Sequence, residues 1–167
     1  MPGPFDASDP AAHPFTAFNF QVNVRVSGMP SPSLAHAAFS ECDGLEMSME
    51  PKTIREGGRN SGPVHMVGPV SYGQLSLKRG MTRNVDLWRW FERVNSAGNG
   101  GLRGTAEVVM LAADGVTEQL RFRLAGCLPV KLKAGGLNAR EGQIAIEEMT
   151  VAYESMELLA GGSPVTG

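Results

Sequence analysis

The clearest pattern near the start of the chain is an alternation of apolar and polar side chains over residues 18–26. Apolar residues occupy every second position from Phe18 to Val26, and asparagine, glutamine and arginine fill the positions between them. This period of two predicts a β-strand with one face on a core and the other on water or a polar partner. The glycine and prolines of residues 28–32 predict its end.

Shorter segments with the same period follow, separated by residues that favour turns. Two of them flank Asp114 and Gly115, a dipeptide typical of tight β-hairpin turns. The pattern predicts extended segments over residues 37–50, 65–70, 74–78, 106–111, 118–124, 128–133 and 143–158.

The last of these segments changes phase. Ile144 and Ile146 share one parity, whereas Met149 and the apolar positions after it have the opposite parity. Glu147 and Glu148 lie at the switch, and we expect them on solvated faces. The pattern therefore predicts either a β-bulge or a strand that bends from one sheet into the other.

One short helix is predicted after Asn84, which is suited to an N-cap. Its apolar residues recur at helical spacing and form a single stripe. A helix of this length needs a sheet to pack on, because it is too short to be stable alone. The residues expected to pack are Leu87, Trp88, Phe91 and Val94, with Trp90 flanking the stripe.

Together these elements predict a mainly β fold. We expect an antiparallel β-sandwich or barrel of about seven or eight strands with one packed α-helix. Proline-rich residues 1–17 are expected to form an N-terminal arm. Residues 18–159 are expected to form the β-domain, and residues 160–167 a glycine-, serine- and proline-containing tail.

Composition and charge exclude several classes of protein. Of the 167 residues, 42% are hydrophobic, which is too many for plain disorder. The 15 basic and 17 acidic side chains leave a net charge of −2, which disfavours general binding to a phosphate backbone. No apolar stretch is long enough to span a membrane, and the first residues lack a secretory signal pattern. We therefore expect synthesis in the cytoplasm and no membrane anchor.

Candidate chemistry is sparse. Cys42 and Cys127 lack the spacing of a zinc or redox pair, and we interpret them as buried free thiols. His13, His36 and His65 fall in no metal-binding pattern. Motifs for a nucleophile elbow or a phosphate-binding loop are missing. The sequence thus predicts no catalytic residues, no metal site and no cofactor, and it favours a binding or structural role.

Two polar features indicate a partner. The loop over residues 55–62 combines both signs of charge with three glycines. Such a loop is either an ordinary surface loop or docks on an identical neighbour. Long charged side chains also lie on the polar strand faces, which are either solvated or line a wet channel built from several copies. These side chains are Arg25, Lys78, Arg121, Arg123, Lys131 and Lys133.

Ordered motifs run through residues 17–158. After the opening strand come Phe39-Ser-Glu-Cys-Asp-Gly-Leu-Glu46, Arg55-Glu-Gly-Gly58, Leu77-Lys-Arg-Gly80, Leu87-Trp-Arg-Trp90, Pro129-Val-Lys131, Leu137-Asn138, Ile146-Glu147 and Tyr153-Glu154. In this order they resemble the inner tail tube proteins of contractile phages, R-type pyocins and extracellular contractile injection systems. The implied fold is also similar to that of type VI secretion tube subunits.

The resemblance implies a structural protein and not an enzyme. Copies would form hexameric rings that stack into a rigid hollow tube, which a contracting sheath drives through a target envelope. Implied partners are other copies of the chain, the sheath protein, baseplate or spike proteins, and tape-measure or terminator proteins. Cargo or DNA would pass through the lumen, and the particle would be assembled in a bacterial cytoplasm or released from the cell.

The resemblance also implies roles for particular residues. The loop expected to contact the next ring comprises Arg55, Glu56, Gly57, Gly58, Arg59 and Asn60. Polar residues expected to face the lumen are Ser48, Glu50, Ser76 and Lys78. Two alternatives stay open at this point. One is a tube-initiator or baseplate-hub paralogue of the same fold, and the other is a β-barrel that binds a small ligand.

Overall fold

The computed structural model describes residues 17–29, 34, 39–55, 57–58, 62–96 and 102–160. Most of the expected N-terminal arm and C-terminal tail lies outside these residues. The described part contains eleven β-strands and one α-helix, α1 (Asp86–Ser96). The strands are β1 (Phe20–Val26), β2 (Glu41–Asp43), β3 (Met47–Met49), β4 (Lys52–Ile54), β5 (Val64–Met66), β6 (Val70–Tyr72), β7 (Gln74–Gly80), β8 (Gly104–Leu111), β9 (Glu118–Ala134), β10 (Ile146–Ala152) and β11 (Ser155–Ala160).

Seven strands form one antiparallel sheet in the order β1-β8-β9-β10-β7-β2, with β11 also paired to β9. The 17-residue strand β9 is shared by two parts of this sheet. Its first half pairs with β8 and β11, and its second half pairs with β10. We call β1, β8, the first half of β9 and β11 the first layer. The second half of β9 with β10, β7 and β2 is the second layer.

A single apolar cluster lies between the two layers. The predicted alternation of the opening strand is confirmed from Gln21 to Val26, because Val22, Val24 and Val26 are buried while Gln21 and Arg25 are exposed. It does not extend to Phe18, which lies before β1 and is 67% exposed. Each fully buried aliphatic side chain contributes roughly 1.5–3 kcal/mol relative to an exposed one. Further members of the cluster are Leu75, Leu77, Leu124, Cys127, Met149 and Val151.

The fold class expected from the sequence is confirmed, but the structure has more strands than the seven or eight expected. Five of the eleven strands are only three residues long. A strand of three residues shows at most one alternation, so period-two analysis cannot separate it from neighbouring extended chain. The hairpin predicted around Asp114 and Gly115 is present as the turn between β8 and β9.

The strand β9 bends where its pairing changes. Gly126 has a φ of +64°, and an added Cβ there would collide with the carboxylate of Glu154. Further along, the register with β10 shifts between Thr150 and Val151, so that Val130 is an extra residue on β9. A bulge of this kind increases the local twist and bend of a strand. The two irregularities carry β9 from the first layer into the second.

The phase change expected within residues 143–158 is wrong. Glu147, Met149 and Val151 share one parity and are all buried, whereas the two isoleucines before them are exposed. The chain breaks instead at Glu154, where it leaves β10 in the second layer and enters β11 in the first. The crossing between layers is therefore present at a different residue. The prediction failed because it took the exposed Ile144 and Ile146 for core residues.

The helix α1 packs on a face that differs from the expected stripe. Leu87 and Trp90 are fully buried, whereas Trp88, Phe91 and Val94 are half-buried. Trp90, which we expected only to flank the stripe, is the largest fully buried side chain. Its Nε1 donates to the carbonyl of Leu102 at 2.9 Å. The ring packs beside the start of β8, where Gly104 carries no Cβ to obstruct it.

The strands β3, β4, β5 and β6, within residues 47–55 and 62–72, form an exposed pair of two-stranded ladders, which we call the arm. In it β3 pairs with β6 and β4 pairs with β5, and these four strands pair with no other strand in the described part. Among the described residues, Arg55, Gly57, Gly58 and Gly62 lie at the tip of the arm, between β4 and β5. Most side chains of its strands are exposed on both faces.

The base of the arm is held by close backbone contacts. The Tyr153 hydroxyl lies 2.9 Å from the carbonyl oxygens of both Gly44 and Glu46, and it accepts the N–H of Glu46 at 3.0 Å. Gly44 has a φ of +91°, and an added Cβ would collide with the carbonyl oxygen of Gln74. Only glycine suits this position, since other residues disfavour such a φ and the space is filled by backbone.

We expect Gly44→Ala to lower the free energy of unfolding by at least about 1–3 kcal/mol, the cost of holding a residue in a disfavoured backbone conformation, with the collision against the Gln74 carbonyl adding to it. Gly136→Ala is the matched control, because Gly136 has open space around it and no positive φ. Urea titration followed by circular dichroism measures both changes. Equal midpoints for the two variants would contradict the assigned role of Gly44.

Candidate functional site

Two strand edges of the second layer have no strand partner among the described residues. The strand β2 pairs with β7 on one side only. The second half of β9, from residue 128 onward, pairs only with β10. An exposed strand edge presents unpaired backbone donors and acceptors that can pair with another chain. The second layer is thus a four-stranded sheet that is open at both ends.

The outer face of the second layer is polar, and its charges follow the strand register. Glu148 lies opposite Lys133 on β9 and opposite Lys78 on β7, and Lys78 in turn lies opposite Glu41 on β2. One row across the layer therefore alternates in charge from strand to strand. A second row consists of Lys131, Thr150, Ser76 and Asp43.

Contacts within this face are consistent with the register. Lys78 Nζ lies 2.9 Å from a carboxylate oxygen of Glu41, and that carboxylate raises the pKa of Lys78 above its ordinary value. Ser76 donates to Glu148 at 3.3 Å. Because the rows end on lysines at β9 and on carboxylates at β2, the two open edges carry opposite charges.

The first layer also has a polar outer face, but one of its edges is occupied. Arg121 contacts Glu107 at 3.0 Å and Glu118 at 2.7 Å, and these carboxylates raise its pKa. At the β1 edge, the N–H of Leu34 donates to the carbonyl of Val24 at 2.8 Å. This edge is therefore engaged at that point by the same chain.

The arm carries apolar side chains that the single chain leaves exposed. Cross-strand pairing places Met49 opposite Val70 and Ile54 opposite Val64. Exposed apolar groups gathered on one element are typical of a surface covered by a partner. Those that are 43–56% exposed are Met47, Met49, Ile54, Met66 and Val70.

A buried ion pair joins the second layer to the helix. Arg79 on β7 and Glu147 on β10 lie opposite each other and are 1% and 2% exposed. Arg79 donates to one oxygen of Glu147, and Trp88 Nε1 donates to the other at 2.8 Å. Arg79 also donates to the carbonyl of Asn84 at 3.1 Å, and its guanidinium lies 5.8 Å from the centre of the Phe39 ring.

Sequence analysis missed this pair, and the expectation of a solvated Glu147 is wrong. Its carboxylate is buried because Arg79 and Trp88 supply the hydrogen bonds that water would otherwise provide. A signal was present in the chain. Arg79 has the parity of the core residues Leu75 and Leu77, and Glu147 has the parity of Met149.

The structure separates the four residues that we expected to face a lumen. Ser76 and Lys78 share the outer face of the second layer. Ser48 lies on the arm with its hydroxyl 2.9 Å from that of Ser71, and Glu50 is exposed on the arm. In the expected ring-contact loop, Arg55, Gly57 and Gly58 are exposed at the tip of the arm. Glu56, Arg59 and Asn60 lie outside the described residues.

Both cysteines are free thiols in low-reactivity surroundings. Burial raises the pKa of Cys42 to about 12 and that of Cys127 to about 11, and the charge of Asp43 adds to the first shift. No group of three or more histidine, cysteine, aspartate or glutamate residues in the described part is arranged to hold a metal ion. The described residues also contain no helix with the length and apolar character of a membrane span.

Comparison with known families assigns the chain. The model of the T4-like virus tail tube protein gp19 family matches residues 16–157. The chain belongs to this family. As a tail tube protein it is a structural subunit, and the resemblance inferred from the ordered motifs is confirmed. None of the curated proteins matches the chain.

Solved structures share the fold of this tail tube protein. A chain of the 6-fold symmetrised baseplate of the anti-feeding prophage is 26% identical, with a TM-score of 0.75 over 89% of this chain and 97% of that one. A chain of the extended PVC sheath–tube complex, an extracellular contractile injection system, is 18% identical, with a TM-score of 0.71 over 90% and 94%. A chain of the PVC sheath/tube terminator is 19% identical, with a TM-score of 0.70 over 89% and 98%.

Proposed function

We propose that this tail tube protein is the repeating subunit of the inner tube of a contractile injection particle. Six copies join edge to edge into a ring, and rings stack into a hollow tube. The observation that carries the proposal is the four-stranded second layer, which is open at both edges in a chain of the tail tube family. The six-fold symmetry of the anti-feeding prophage baseplate structure, which contains a similar chain, supports the ring size.

In such a ring the polar outer face of the second layer lines the lumen. Ser76 and Lys78 lie on that face, which suits contact with water and with cargo or DNA moving through the tube. The role of the chain is structural and not catalytic. Its rows of alternating charge present no large single-sign field to a passing polyanion.

The arm is proposed to contact the next ring. Its exposed apolar residues lose water-accessible surface when a neighbouring copy covers them, which stabilises the stack. At the tip, Arg55 and the glycines beside it allow close approach of a second backbone, and the expected contact extends through residues 56–60. These proposed contacts join copies of the same chain in neighbouring rings.

The remaining partners follow from the particles in which similar chains occur. Those particles are a sheath–tube complex, a baseplate and a sheath/tube terminator. We infer that a sheath surrounds the tube formed by this protein and that baseplate and terminator proteins bound its two ends. The chain is made in the cytoplasm of a bacterium and acts within the assembled particle.

Electron microscopy of the purified chain at rising concentration tests the proposal. We expect hollow tubes of uniform diameter built from stacked rings. Gel filtration at the same concentrations should show material far larger than one chain of 17.8 kDa. A single chain of that size at every concentration would overturn the proposal.

A second candidate role is that of tube initiator. The match to a chain of the anti-feeding prophage baseplate favours it, because a baseplate holds the first ring of a tube. The same microscopy separates the two roles. An initiator forms rings that do not extend at any concentration, whereas a main tube subunit forms long tubes.

A further inference from the structure

The two open edges of the second layer carry opposite charges, and their strands run in opposite directions. Residues 128–134 of β9 and the whole of β2 lack a strand partner on their outer sides among the described residues. The layer contains four strands, and each is antiparallel to the next. The strands β9 and β2 therefore run in opposite directions. A copy related by rotation about a ring axis places its β9 antiparallel to the preceding copy's β2.

We propose that β2 of one copy pairs with the second half of β9 of the next copy in one register, in which Glu41 lies opposite Lys133. This inference rests on the proposed function that copies join into rings. One step forward on a strand is one step back on its antiparallel partner. The same register therefore sets Asp43 opposite Lys131.

The register also matches the two faces of the sheet. Between the charged pairs, Cys42 is set opposite Leu132, and both of these side chains lie on the core side and pack against the apolar cluster. A slip by one residue would turn every polar side chain of one strand toward the apolar side chains of the other. The need to keep polar side chains on the same face of both strands restricts the contact to registers that differ from this one by an even number of residues. Among those registers, only this one forms two pairs of opposite charge.

The alternation of positive and negative side chains continues from one copy to the next across the proposed contact. The row within one copy runs Lys133, Glu148, Lys78 and Glu41, so the next copy's Lys133 follows Glu41. Signs alternate around the whole ring as they do within the chain. Lys131 and Lys133 have no ion-pair partner among the described residues and are exposed, so both are available to a neighbouring copy.

The same charges disfavour the wrong contacts. Two copies that met through their β2 edges would set carboxylates against carboxylates, and two that met through β9 would set lysines against lysines. Like charges directly opposite on neighbouring strands are destabilising. The edges therefore favour a head-to-tail contact, which closes into a ring, over a two-fold contact that stops at a dimer.

Two charge-reversed variants and their mixture test the proposal. The variant K131E/K133E has two acidic edges, and E41K/D43K has two basic edges. Each alone is expected to lose ring formation in gel filtration and electron microscopy. Mixed in equal amounts they regain opposite edges at every junction and form rings in which the variants alternate. The control R83E/R89E makes the same change in net charge as K131E/K133E, at exposed sites outside both edges, and is expected to assemble like the unaltered chain.

The possible outcomes distinguish failure of the proposed register from failure of the proposed function. If the unaltered chain forms rings and either reversed variant does so alone, or if the mixture does not assemble, the register is overturned while the proposed function stands. If the unaltered chain never assembles, the proposed function fails and the register fails with it. Recovery in the mixture also shows that both variants are folded.

Cysteine cross-linking tests the register independently of charge. In a Cys42→Ala background, E41C/K133C is expected to form disulfide-linked ladders up to a full ring, because directly opposite strand residues lie within disulfide distance. The offset pair E41C/K131C is expected to remain unlinked. Linking of the offset pair in place of the direct pair would overturn the proposed register.

Discussion

Glu147→Gln is expected to lower the free energy of unfolding by about 3–5 kcal/mol, because it removes one partner of a buried ion pair and leaves the other charged. Arg79 is 1% exposed, and its only carboxylate contact in the described part is with Glu147. The same substitution turns an acceptor of the Trp88 indole N–H into an amide that can present a donor there. The substitution therefore weakens contacts within the sheet and also the contact between the sheet and the helix.

Urea titration at a concentration where gel filtration shows a single chain measures this effect. Glu157→Gln is the matched control, since Glu157 is exposed on β11 and a surface change of this kind is usually within about 0.5 kcal/mol. The double variant R79M/E147M should recover most of the stability, because it removes both charges and keeps the volume apolar. A midpoint for Glu147→Gln equal to that of the control would show that the pair is not needed.

Trp90→Ala is expected to cost about 3–5 kcal/mol through the cavity that it leaves between α1 and the sheet. For a chain of this length the melting temperature should fall by roughly 10 °C. Trp90 is fully buried, and its indole N–H bond to Leu102 is lost as well. Differential scanning calorimetry of the same dilute chain provides the measurement.

Comparison of Trp88→Ala with Trp90→Ala distinguishes the packing seen in the structure from the apolar stripe predicted by the sequence. Trp88 is half-buried, so its removal leaves a site partly filled by water, and we expect a smaller fall than for Trp90→Ala. The apolar stripe inferred from the sequence ranks the two residues in the opposite order. A larger loss for Trp88→Ala would show that the stripe, and not the packing described above, identifies the core of the helix.

The long elements were predictable because their patterns are repeated several times. The strand β1 shows its apolar face at Val22, Val24 and Val26, and the turn at Asp114 and Gly115 indicates its hairpin directly. The ordered motifs then predicted the family. Periodicity could not resolve the five three-residue strands of the arm and its base, since each contains only one or two side chains per face.

The buried pair shows where a residue's type and its position disagree. Parity alone places Arg79 and Glu147 in the core, but both are side chains that usually face water. Residue type likewise suggests a core position for Ile144 and Ile146, and the incorrect phase change follows from it, because both isoleucines are exposed. Two charged residues of opposite sign at core parity on neighbouring strands are a usable signal, although the pairing of those strands is visible only in the fold.

The open edges were only partly visible in the sequence. Lys131 and Lys133 stood out because they alternate with apolar residues. Glu41 and Asp43 did not, because the three residues of β2 are too few to show which side chains of the predicted extended segment share a face. Their relation to the lysines depends on the order of four strands that are far apart in sequence. It also depends on contacts between copies, which no single chain contains.

The sharing of β9 between both layers has a mechanical consequence. An unbroken peptide backbone links the two walls of each subunit, in addition to the apolar cluster between them. Thrust applied to one wall reaches the other through covalent bonds as well as through the close-packed core, which itself transmits strain. A hollow rod built from such subunits resists shear within each building block, so its weakest planes under load lie at the seams between blocks.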